Sequence, residues 1–163
     1  MRGPPTGRGP HAVALAAVEA FFGSERPLNE EWVRAGFANV TSPGRLEVVR
    51  RSPTVIIDAA HNPHGAAVLA EALDESFAFE YIIGVVSVMG DKDVSGVLEA
   101  LEPIFNEVVV TWNGVPRAMQ TDEIAVIAAD RFGADRVHSS PDLASAIDKA
   151  IELADNAGTT GVG

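Results

Sequence analysis

The feature that most constrains the fold of this chain is a regular alternation, between residues 46 and 151, of short β-type runs and helical patterns. Residues 81–88 (YIIGVVSV) form a continuous apolar run, which is typical of a strand covered on both faces. Behind Asp93, apolar residues recur at the spacing of one helical face. This alternation predicts an α/β domain with a mostly parallel sheet and helices on both of its faces. The predicted strands are residues 46–50, 54–58, 81–88, 108–112 and 136–138, the first two forming a hairpin across residues 51–53.

Capping residues mark where the helices of this domain begin. Asn62 followed by Pro63 is a typical N-cap and first helical residue, and Asp93 is a typical N-cap of the next helix. Thr121 is predicted to cap the third helix. For the last helix, which runs to residue 151, the pattern predicts an N-cap, a first-turn proline and a first-turn acid at Ser140, Pro141 and Asp142.

Residues 1–41 differ from the rest, and we expect a flexible lead followed by two helices. Residues 1–10 are rich in Gly, Pro and Arg and have no periodicity. Residues 11–22 (HAVALAAVEAFF) predict a buried helix that ends at Gly23. A short helix follows, with Asn29 as its N-cap and a looser end at Gly36. The Ser-Pro-Gly sequence at residues 42–44 then marks a boundary, so that residues 42–163 form the α/β domain.

Charge and composition exclude several classes of protein. The 163 residues hold 12 Lys and Arg against 23 Asp and Glu, a formal net charge of −11, which is the wrong sign for neutralising a phosphate backbone. We therefore expect no nucleic-acid partner. There is no cysteine, which excludes disulfides and thiolate metal sites. No apolar run approaches the ~18 residues of a membrane-spanning helix. We expect a soluble, cytoplasmic protein that does not bind membranes.

In such a sheet, ligands bind beyond the carboxyl ends of the strands, so the strand-to-helix turns are the candidate sites. The first turn, DAAHNPHG at residues 58–65, places Asp58 at a strand end and His61 in the turn. The free N–H groups of the helix that Asn62 caps favour an anion such as phosphate. The alternative is that Asn62 only caps, Asp58 only accepts backbone N–H groups and the histidines are solvated. A metal site at Asp58, His61 and His64 would lack a visible fourth ligand, so we predict none.

Cationic side chains accompany the other turns. Lys92 lies in MGDKD at residues 89–93, Arg117 in NGVPRA at residues 113–118, and Arg45 at a rigid corner, PGRLE, at residues 43–47. Each can face a carboxylate or a phosphate, and for each the alternative is a solvated surface side chain. The phosphate loop G-x-x-x-x-G-K-[ST], the dinucleotide fingerprint G-x-G-x-x-G and the nucleophile elbow G-x-S-x-G are absent from the sequence.

Four segments together resemble one family. PGRLE at 43–47, IIDAAHNPHG at 56–65, MGDKDV at 89–94 and PRA at 116–118 are similar, in order and spacing, to the C-terminal domain of the folylpolyglutamate synthase and dihydrofolate synthase group of Mur-type ligases. The resemblance covers residues 11–162 and implies a Rossmann-like sheet. It also implies that residues 1–41 are a remnant of the family's central ATPase domain and that the last strand of the C-terminal domain is lacking.

The resemblance implies a reaction as well. These ligases use ATP and Mg²⁺ to phosphorylate a substrate carboxylate, and the amine of glutamate then attacks the acyl phosphate to form an amide. The implied substrates are ATP, glutamate and a folate or dihydropteroate. In the family, the phosphate loop and the Mg²⁺ ligands belong to the N-terminal ATPase domain, so we expect ATP and Mg²⁺ to be held mainly there. That domain is thus an implied partner of this chain.

By motif position, the resemblance also implies residue roles. Arg45 would contact the ATP phosphates, Asp58 would bind near the ribose, and His61, beside Asn62, would lie near the phosphates. Lys92 and Arg117 would serve the amino-acid or phosphate region. His61 and Lys92 are the implied catalytic residues.

The sequence departs from the family pattern in places that affect these expectations. Ala59 replaces a usual Gly, and Gly7-Arg8-Gly9-Pro10 stands where the family often has a nucleotide-contacting Asn. Without the phosphate loop, we expect no catalysis from these residues alone. The apolar helix at 11–22 is then expected to pack elsewhere, to pair with a second copy or to fray. Two alternatives stay open: a domain of another Mur-type amide ligase, and a stand-alone anion- or nucleotide-binding module.

Overall fold

A computed structural model of the protein describes residues 10–23, 28–38 and 42–157. The chain divides into two compact units, Met1–Ser42 and Pro43–Gly163. The predicted flexible lead lies outside the described residues, except for Pro10, which begins a helix. The segments at residues 7–9 and 158–163 lie outside them too. The assignment of residues 1–41 to a central-domain remnant and the lack of a last strand therefore stay predictions.

The first unit contains two helices, α1 (Pro10–Phe22) and α2 (Glu30–Ala38). α1 ends at Gly23 as predicted, where the backbone φ of 81° suits a residue without a Cβ. Asn29 caps α2 by accepting the Trp32 N–H at 3.1 Å, also as predicted.

Two expectations for this unit are wrong. α2 does not loosen at Gly36 but continues to Ala38, because a glycine inside a helix costs only about 1 kcal/mol relative to alanine. α1 is not buried: Phe21 is 84% exposed, Phe22 is 59% exposed, and most of the helix's other described side chains are exposed. An apolar pattern indicates a preference for burial, and it does not supply the neighbour that would bury the helix.

The second unit opens with the predicted hairpin. Strand β1 (Glu47–Arg51) pairs antiparallel with β2 (Thr54–Ile57), with Glu47 opposite Ile57. A cis Ser52–Pro53 peptide lies in the turn. This register brings Leu46, the residue just before β1, close to Asp58, the residue that follows β2.

A parallel sheet of three strands carries the rest of the unit. Its strands lie in the order β3 (Ile83–Val86), β4 (Glu107–Thr111) and β5 (Val137–Ser140). β3 is shorter than the predicted 81–88. After Val86 the chain no longer pairs with β4 and forms hydrogen bonds with the loop that precedes α5 instead. Val88 O accepts the Met119 N–H at 2.9 Å, and Met89 forms an antiparallel bridge with Ala118.

Four helices flank this sheet: α3 (Pro63–Ser76), α4 (Val94–Leu101), α5 (Thr121–Phe132) and α6 (Leu143–Asn156). α3, α4 and α5 share one core with Val108 and Val110, whereas the fully buried Val109 lies outside that core. Since side chains alternate along a strand, Val109 faces the other side, where α6 packs across all three strands. Helices thus lie on both faces, as predicted. Within the described ranges, no helix is long and apolar enough to cross a membrane.

The caps of α3 and α4 are the predicted Asn62 and Asp93, and those of the last two helices are not the predicted ones. The N-cap of α5 is Gln120, whose N–H donates to the Glu123 carboxylate at 3.2 Å. Thr121 is instead the first helical residue. Ser140 cannot cap α6, because it is a buried residue of β5. Asp142 caps this helix by accepting the Ser145 N–H at 2.9 Å, which leaves Pro141 outside it.

Candidate functional site

The turns after β2 and β3 lie side by side, because the first turns of α3 and α4 are in contact. A Cβ on Gly96, in the first turn of α4, would come within 2.7 Å of Pro63 Cγ at the start of α3. A missing side chain at Gly96 therefore permits this close approach. The two predicted groups of site residues, around Asp58 and around Lys92, follow β2 and β3 in the chain. Each group therefore lies beyond the carboxyl end of a strand.

Asp58 is bound to backbone on both sides. Its Oδ2 accepts the Leu46 N–H at 2.8 Å, and its Oδ1 accepts the Ala60 N–H at 2.7 Å. The side chain is partly buried, and it joins the corner before β1 to the turn after β2. The sequence allowed for backbone acceptance as the alternative to a nucleotide contact, and the structure contains those two bonds.

The PGRLE corner has an unusual backbone. Gly44 has φ of 69°, and Leu46, with φ of 45°, is the one non-glycine among the described residues in the left-handed region. The Glu47 carboxylate accepts the Gly44 N–H at 2.7 Å. Arg45, between these anchored residues, is exposed, and its guanidinium bonds to no residue that the structure describes. Arg45 is therefore an exposed cation without a partner among the described residues, on a corner held by two backbone hydrogen bonds.

The start of α3 offers less to an anion than the sequence suggested. Asn62 Oδ1 accepts the Gly65 N–H at 2.8 Å, and Pro63 has no N–H to offer. The N–H of His64 is thus the free first-turn donor of this helix, because it bonds to no described residue. His61 is exposed, and its Nδ1 must carry the proton to donate to Ala59 O at 3.0 Å. Its Nε2 bonds to no residue that the structure describes.

The second group joins the loops after β3 and β4 through Asp91. Asp91 Oδ2 lies 3.1 Å from Arg117 Nη2 and 3.6 Å from Lys92 Nζ. Partial desolvation raises the pKa of Asp91. Its backbone hydrogen bond and the charges of Lys92 and Arg117 outweigh that effect, so the pKa lies below its ordinary value. The Gly90 N–H also donates to Arg117 O at 2.9 Å. Two cations that the sequence placed on separate loops are therefore held together.

Sequence reasoning missed three contributors to these two groups. Asp91 lies in the MGDKD segment but was not singled out, although an acid between candidate cations is itself a signal for an ion pair. Glu47 belongs to the quoted motif, yet no spacing rule indicated that it bonds back to Gly44. The conformation of Leu46 has no signal in the sequence, since leucine rarely adopts a positive φ.

No metal site is present among the described parts of the chain: no group of three or more His, Asp or Glu is placed to hold an ion there. Asp58, His61 and His64 are consequently not gathered around a common point among the described residues.

A separate polar cluster lies at the opposite ends of the strands. The Tyr81 hydroxyl donates to Glu107 Oε1 at 2.5 Å, and His138 Nε2 bonds to Glu107 Oε2. Partial burial raises the pKa of Glu107, but hydrogen bonds from Tyr81 and His138 and the charges of His138 and Lys149 bring it below its ordinary value. The bond to Glu107, with burial, raises the pKa of Tyr81. This cluster links the starts of three strands, away from the candidate site.

A three-stranded parallel sheet with helices on both faces, preceded by a two-stranded hairpin, defines an α/β domain of the class in which ligands bind beyond the carboxyl ends of the strands. The family model described as the Mur ligase, glutamate ligase domain matches residues 44–161. The chain belongs to this family.

Named relatives agree with the resemblance seen in the motifs. The chain is 57% identical over 147 residues to the dihydrofolate synthase/folylpolyglutamate synthase of Mycobacterium tuberculosis, covering 89% of this chain and 30% of the relative. The Escherichia coli enzyme of the same name is 31% identical over 139 residues, covering 85% and 32%. The chain thus spans about a third of the length of these relatives.

Solved structures confirm the α/β fold. The Mycobacterium tuberculosis folylpolyglutamate synthase complexed with ADP superposes with a TM-score of 0.87 at 56% identity, over 90% of this chain and 32% of that one. E. coli FolC in complex with DHPP and ADP superposes with a TM-score of 0.75 at 28% identity, over 93% of this chain and 34% of that one.

Proposed function

We propose that this chain is the C-terminal domain of an ATP-dependent ligase that adds glutamate to a folate or dihydropteroate. The observations that carry the proposal are two cationic groups: Arg45, just before the β1–β2 hairpin, and Lys92 with Arg117 on Asp91, in the loops that follow β3 and β4. They occur in a chain 57% identical over 147 residues to a dihydrofolate synthase/folylpolyglutamate synthase. Transfer of a phosphoryl group needs cations around the developing negative charge, and these side chains supply them.

The nucleotide group consists of Arg45, Asp58, His61 and Asn62. The exposed guanidinium of Arg45 binds the ATP phosphates, and the open Nε2 of His61 lies near them as a hydrogen-bonding partner. Asn62 fixes the start of α3, so that the helix end faces the anion. Asp58 belongs to the same group, although its two oxygens already accept backbone N–H groups.

The second group binds carboxylate or phosphate. Lys92 and Arg117 share the Asp91 carboxylate, and together the three side chains carry one net positive charge. This charge attracts the carboxylate of glutamate and steadies the acyl phosphate while the glutamate amine attacks it and phosphate leaves. Lys92 is the catalytic candidate of this group.

Metal binding belongs elsewhere in the proposed enzyme. A Yersinia pestis relative was solved with AMPPNP and a Mn ion, and ATP-dependent ligases of this kind use Mg²⁺. Among the described residues, no group of three or more His, Asp or Glu is placed to hold a metal ion. The resemblance to the family assigns Mg²⁺ and most of the ATP contacts to the N-terminal ATPase domain, the proposed partner of this chain in the cytoplasm.

The test uses a fusion enzyme in which this chain replaces the matching segment of the Mycobacterium tuberculosis relative. Arg45→Ala is expected to raise KM for ATP, and Lys92→Ala and Arg117→Ala to raise KM for glutamate. Loss of a contact that strengthens in the transition state lowers kcat/KM on the order of 10²-fold. The exposed Asp148→Asn on α6 is the control. Three variants with unchanged kinetics and unchanged melting temperature would contradict the proposal.

A further inference from the structure

The loop that follows β4 holds its arginine in a tight turn, residues 115–118, which we call the arginine turn. Val115 O accepts the Ala118 N–H at 2.9 Å, and this bond closes a four-residue β-turn. Pro116 and Arg117 are its two central residues, and proline is pre-set for the first of these positions. Arg117 does not have the positive φ that a type II turn requires at the second position. The turn therefore sets the backbone of Arg117.

Two side chains that directly follow β4 hold the start of the arginine turn. Trp112 Nε1 donates to Val115 O at 3.2 Å, and Asn113 Oδ1 accepts the Val115 N–H at 3.1 Å. Gly114, which lies between them and the turn, has φ of 83°, a conformation that suits a residue without a Cβ. Both polar backbone groups of Val115 are thus bound by side chains at the end of the strand.

The segment that follows β3 holds the other end of the arginine turn. The Gly90 N–H donates to Arg117 O at 2.9 Å, and the Met119 N–H donates to Val88 O at 2.9 Å. The guanidinium of Arg117 is directed as well, because its Nη2 donates to Asp91 Oδ2 at 3.1 Å. Arg117 is therefore held through both its backbone and its side chain.

The bonds that hold the arginine turn lie in an exposed part of the loop. Residues 114–117 are exposed, and so is the hydrogen bond from Trp112. Each such bond adds little to the stability of the fold, because water competes for the same groups. Its larger effect is to limit the conformations of the turn. A cation that is held before its ligand arrives loses less conformational entropy on binding.

We propose that Trp112 is a positioning residue that holds the arginine turn and thereby keeps Arg117 directed toward Asp91, ready to bind the carboxylate of glutamate. This rests on the proposed function, which takes Lys92 and Arg117 as the site for that carboxylate. The effect of Trp112 on glutamate binding then passes through Arg117. Asn113 is a second positioning residue of the same turn.

A double-mutant cycle in the fusion enzyme tests this role. Trp112→Phe keeps an aromatic ring and removes the N–H that Val115 O accepts, so the turn loosens. We expect KM for glutamate to rise about three- to fivefold, the scale of one hydrogen bond, with KM for ATP nearly unchanged. In an Arg117→Ala background, the same substitution should change KM for glutamate by less than about twofold. Effects of the two substitutions that multiply would show that Trp112 acts independently of Arg117 and would overturn the proposal.

Tyr81→Phe is the matched control, because it also removes one donor from an aromatic side chain, at the opposite ends of the strands. An equal rise in KM for glutamate in this control would show a general effect and overturn the proposal. Asn113→Ala, which removes the acceptor of the Val115 N–H, is the second test if Trp112→Phe does not fold. Its effect should also disappear beside Arg117→Ala. If either variant melts at a lower temperature while its folded fraction keeps the normal KM, the residue is only structural and the proposal fails.

Failure of the proposed function is recognised separately. If the unmodified fusion enzyme shows no glutamate-dependent ADP release, that function is wrong, and the placement of Arg117 is tested on the 163-residue chain by NMR titration of the Asp91 carboxyl. Desolvation raises the pKa of Asp91, and its backbone hydrogen bond and the charges of Lys92 and Arg117 outweigh that effect. Arg117→Ala should raise this pKa, Trp112→Phe should raise it part of the way, and Tyr81→Phe should leave it unchanged. If Trp112→Phe leaves the pKa of Asp91 unchanged, Trp112 does not position Arg117 and the inference is wrong.

Discussion

At the residue scale, Asp91 determines how Lys92 and Arg117 are oriented. Asp91 joins Arg117, whose side chain is 73% exposed, to Lys92 on another loop. An exposed ion pair contributes little to stability, with a typical range of about 0.2–1 kcal/mol. Its larger effect is on orientation, because two separately mobile cations would lose more conformational entropy on binding a carboxylate than a held pair does.

The variant Asp91→Asn tests this orientation in the fusion enzyme. We expect KM for glutamate to rise by about two- to fivefold, which corresponds to an exposed ion pair, with KM for ATP nearly unchanged. Glu99→Gln, an exposed acid on α4, is the matched control. A fall in KM for glutamate would contradict the account, since it would show that Asp91 competes with the substrate for the two cations.

Several residue-level features were predictable because they follow from local chemistry. Asn62 and Asp93 cap their helices as predicted, since a side-chain acceptor before a helical pattern is a strong local signal. Ser140 looked equally suitable, but parallel pairing with Thr111 takes it into β5. Tertiary pairing of that kind has no local signature, and the same holds for the bond from Leu46 to Asp58.

At the element scale, a polar cluster joins the starts of the three parallel strands. Tyr81 lies just before β3, Glu107 begins β4, and His138 lies in β5. The pKa of Glu107 lies below its ordinary value, so its ionised form is favoured in the folded state. Its contribution to stability is therefore full above the ordinary pKa of 4.5 and is lost as the pH falls through the lower, folded value.

Glu107→Gln should remove this pH dependence. At pH 7 we expect the free energy of unfolding to fall by about 1.5–3 kcal/mol, the scale of a hydrogen bond to a charged group. The difference between variant and parent should shrink as the pH falls below 4.5. Denaturant unfolding of the chain at a series of pH values measures both, and Asp148→Asn is the control. If the difference in unfolding free energy between variant and parent stays constant down to acidic pH, the ionised form of Glu107 does not stabilise the fold and the account is wrong.

The sequence predicted the order of the elements better than their ends. The alternation of strand and helix patterns gave the hairpin, the parallel strands and the four helices around them, because each pattern follows from which faces are buried. The run at 81–88 was too long, since Val88 bonds Met119 in a loop and leaves the sheet. An apolar run indicates which residues are buried and not where the strand ends. Val88 is still buried, although β3 ends at Val86.

At the scale of the whole molecule, the chain exposes apolar surface in its first unit. Phe21 is 84% exposed and Phe22 59% exposed on α1, and Trp32 is 79% exposed on α2. Exposed apolar patches of this kind mark surfaces that meet a partner. The motifs predicted the family, whereas no motif of the sequence indicates what covers this helix.

We predict that the isolated chain binds an apolar dye and associates as its concentration rises. The double variant Phe21→Ser, Phe22→Ser should reduce both signals, because it removes the two aromatic side chains at the end of α1. Val126→Ser is the control, since Val126 is 73% exposed on α5, in the other unit. Light scattering that shows a monomer at every concentration, with no dye signal from the parent chain, would contradict this.

The central claim is that this chain supplies the C-terminal part of a glutamate ligase, and product formation tests it most directly. Three samples are compared by mass spectrometry after incubation with ATP, Mg²⁺, glutamate and a reduced folate: the fusion enzyme, this chain alone, and the relative without its matching segment. The account predicts a glutamate-extended folate, with one ADP per glutamate added, only from the fusion enzyme. The chain alone should form none, because its 163 residues contain no phosphate loop. A folded fusion enzyme that binds ADP and forms no product, or product formed without this chain, would contradict the claim.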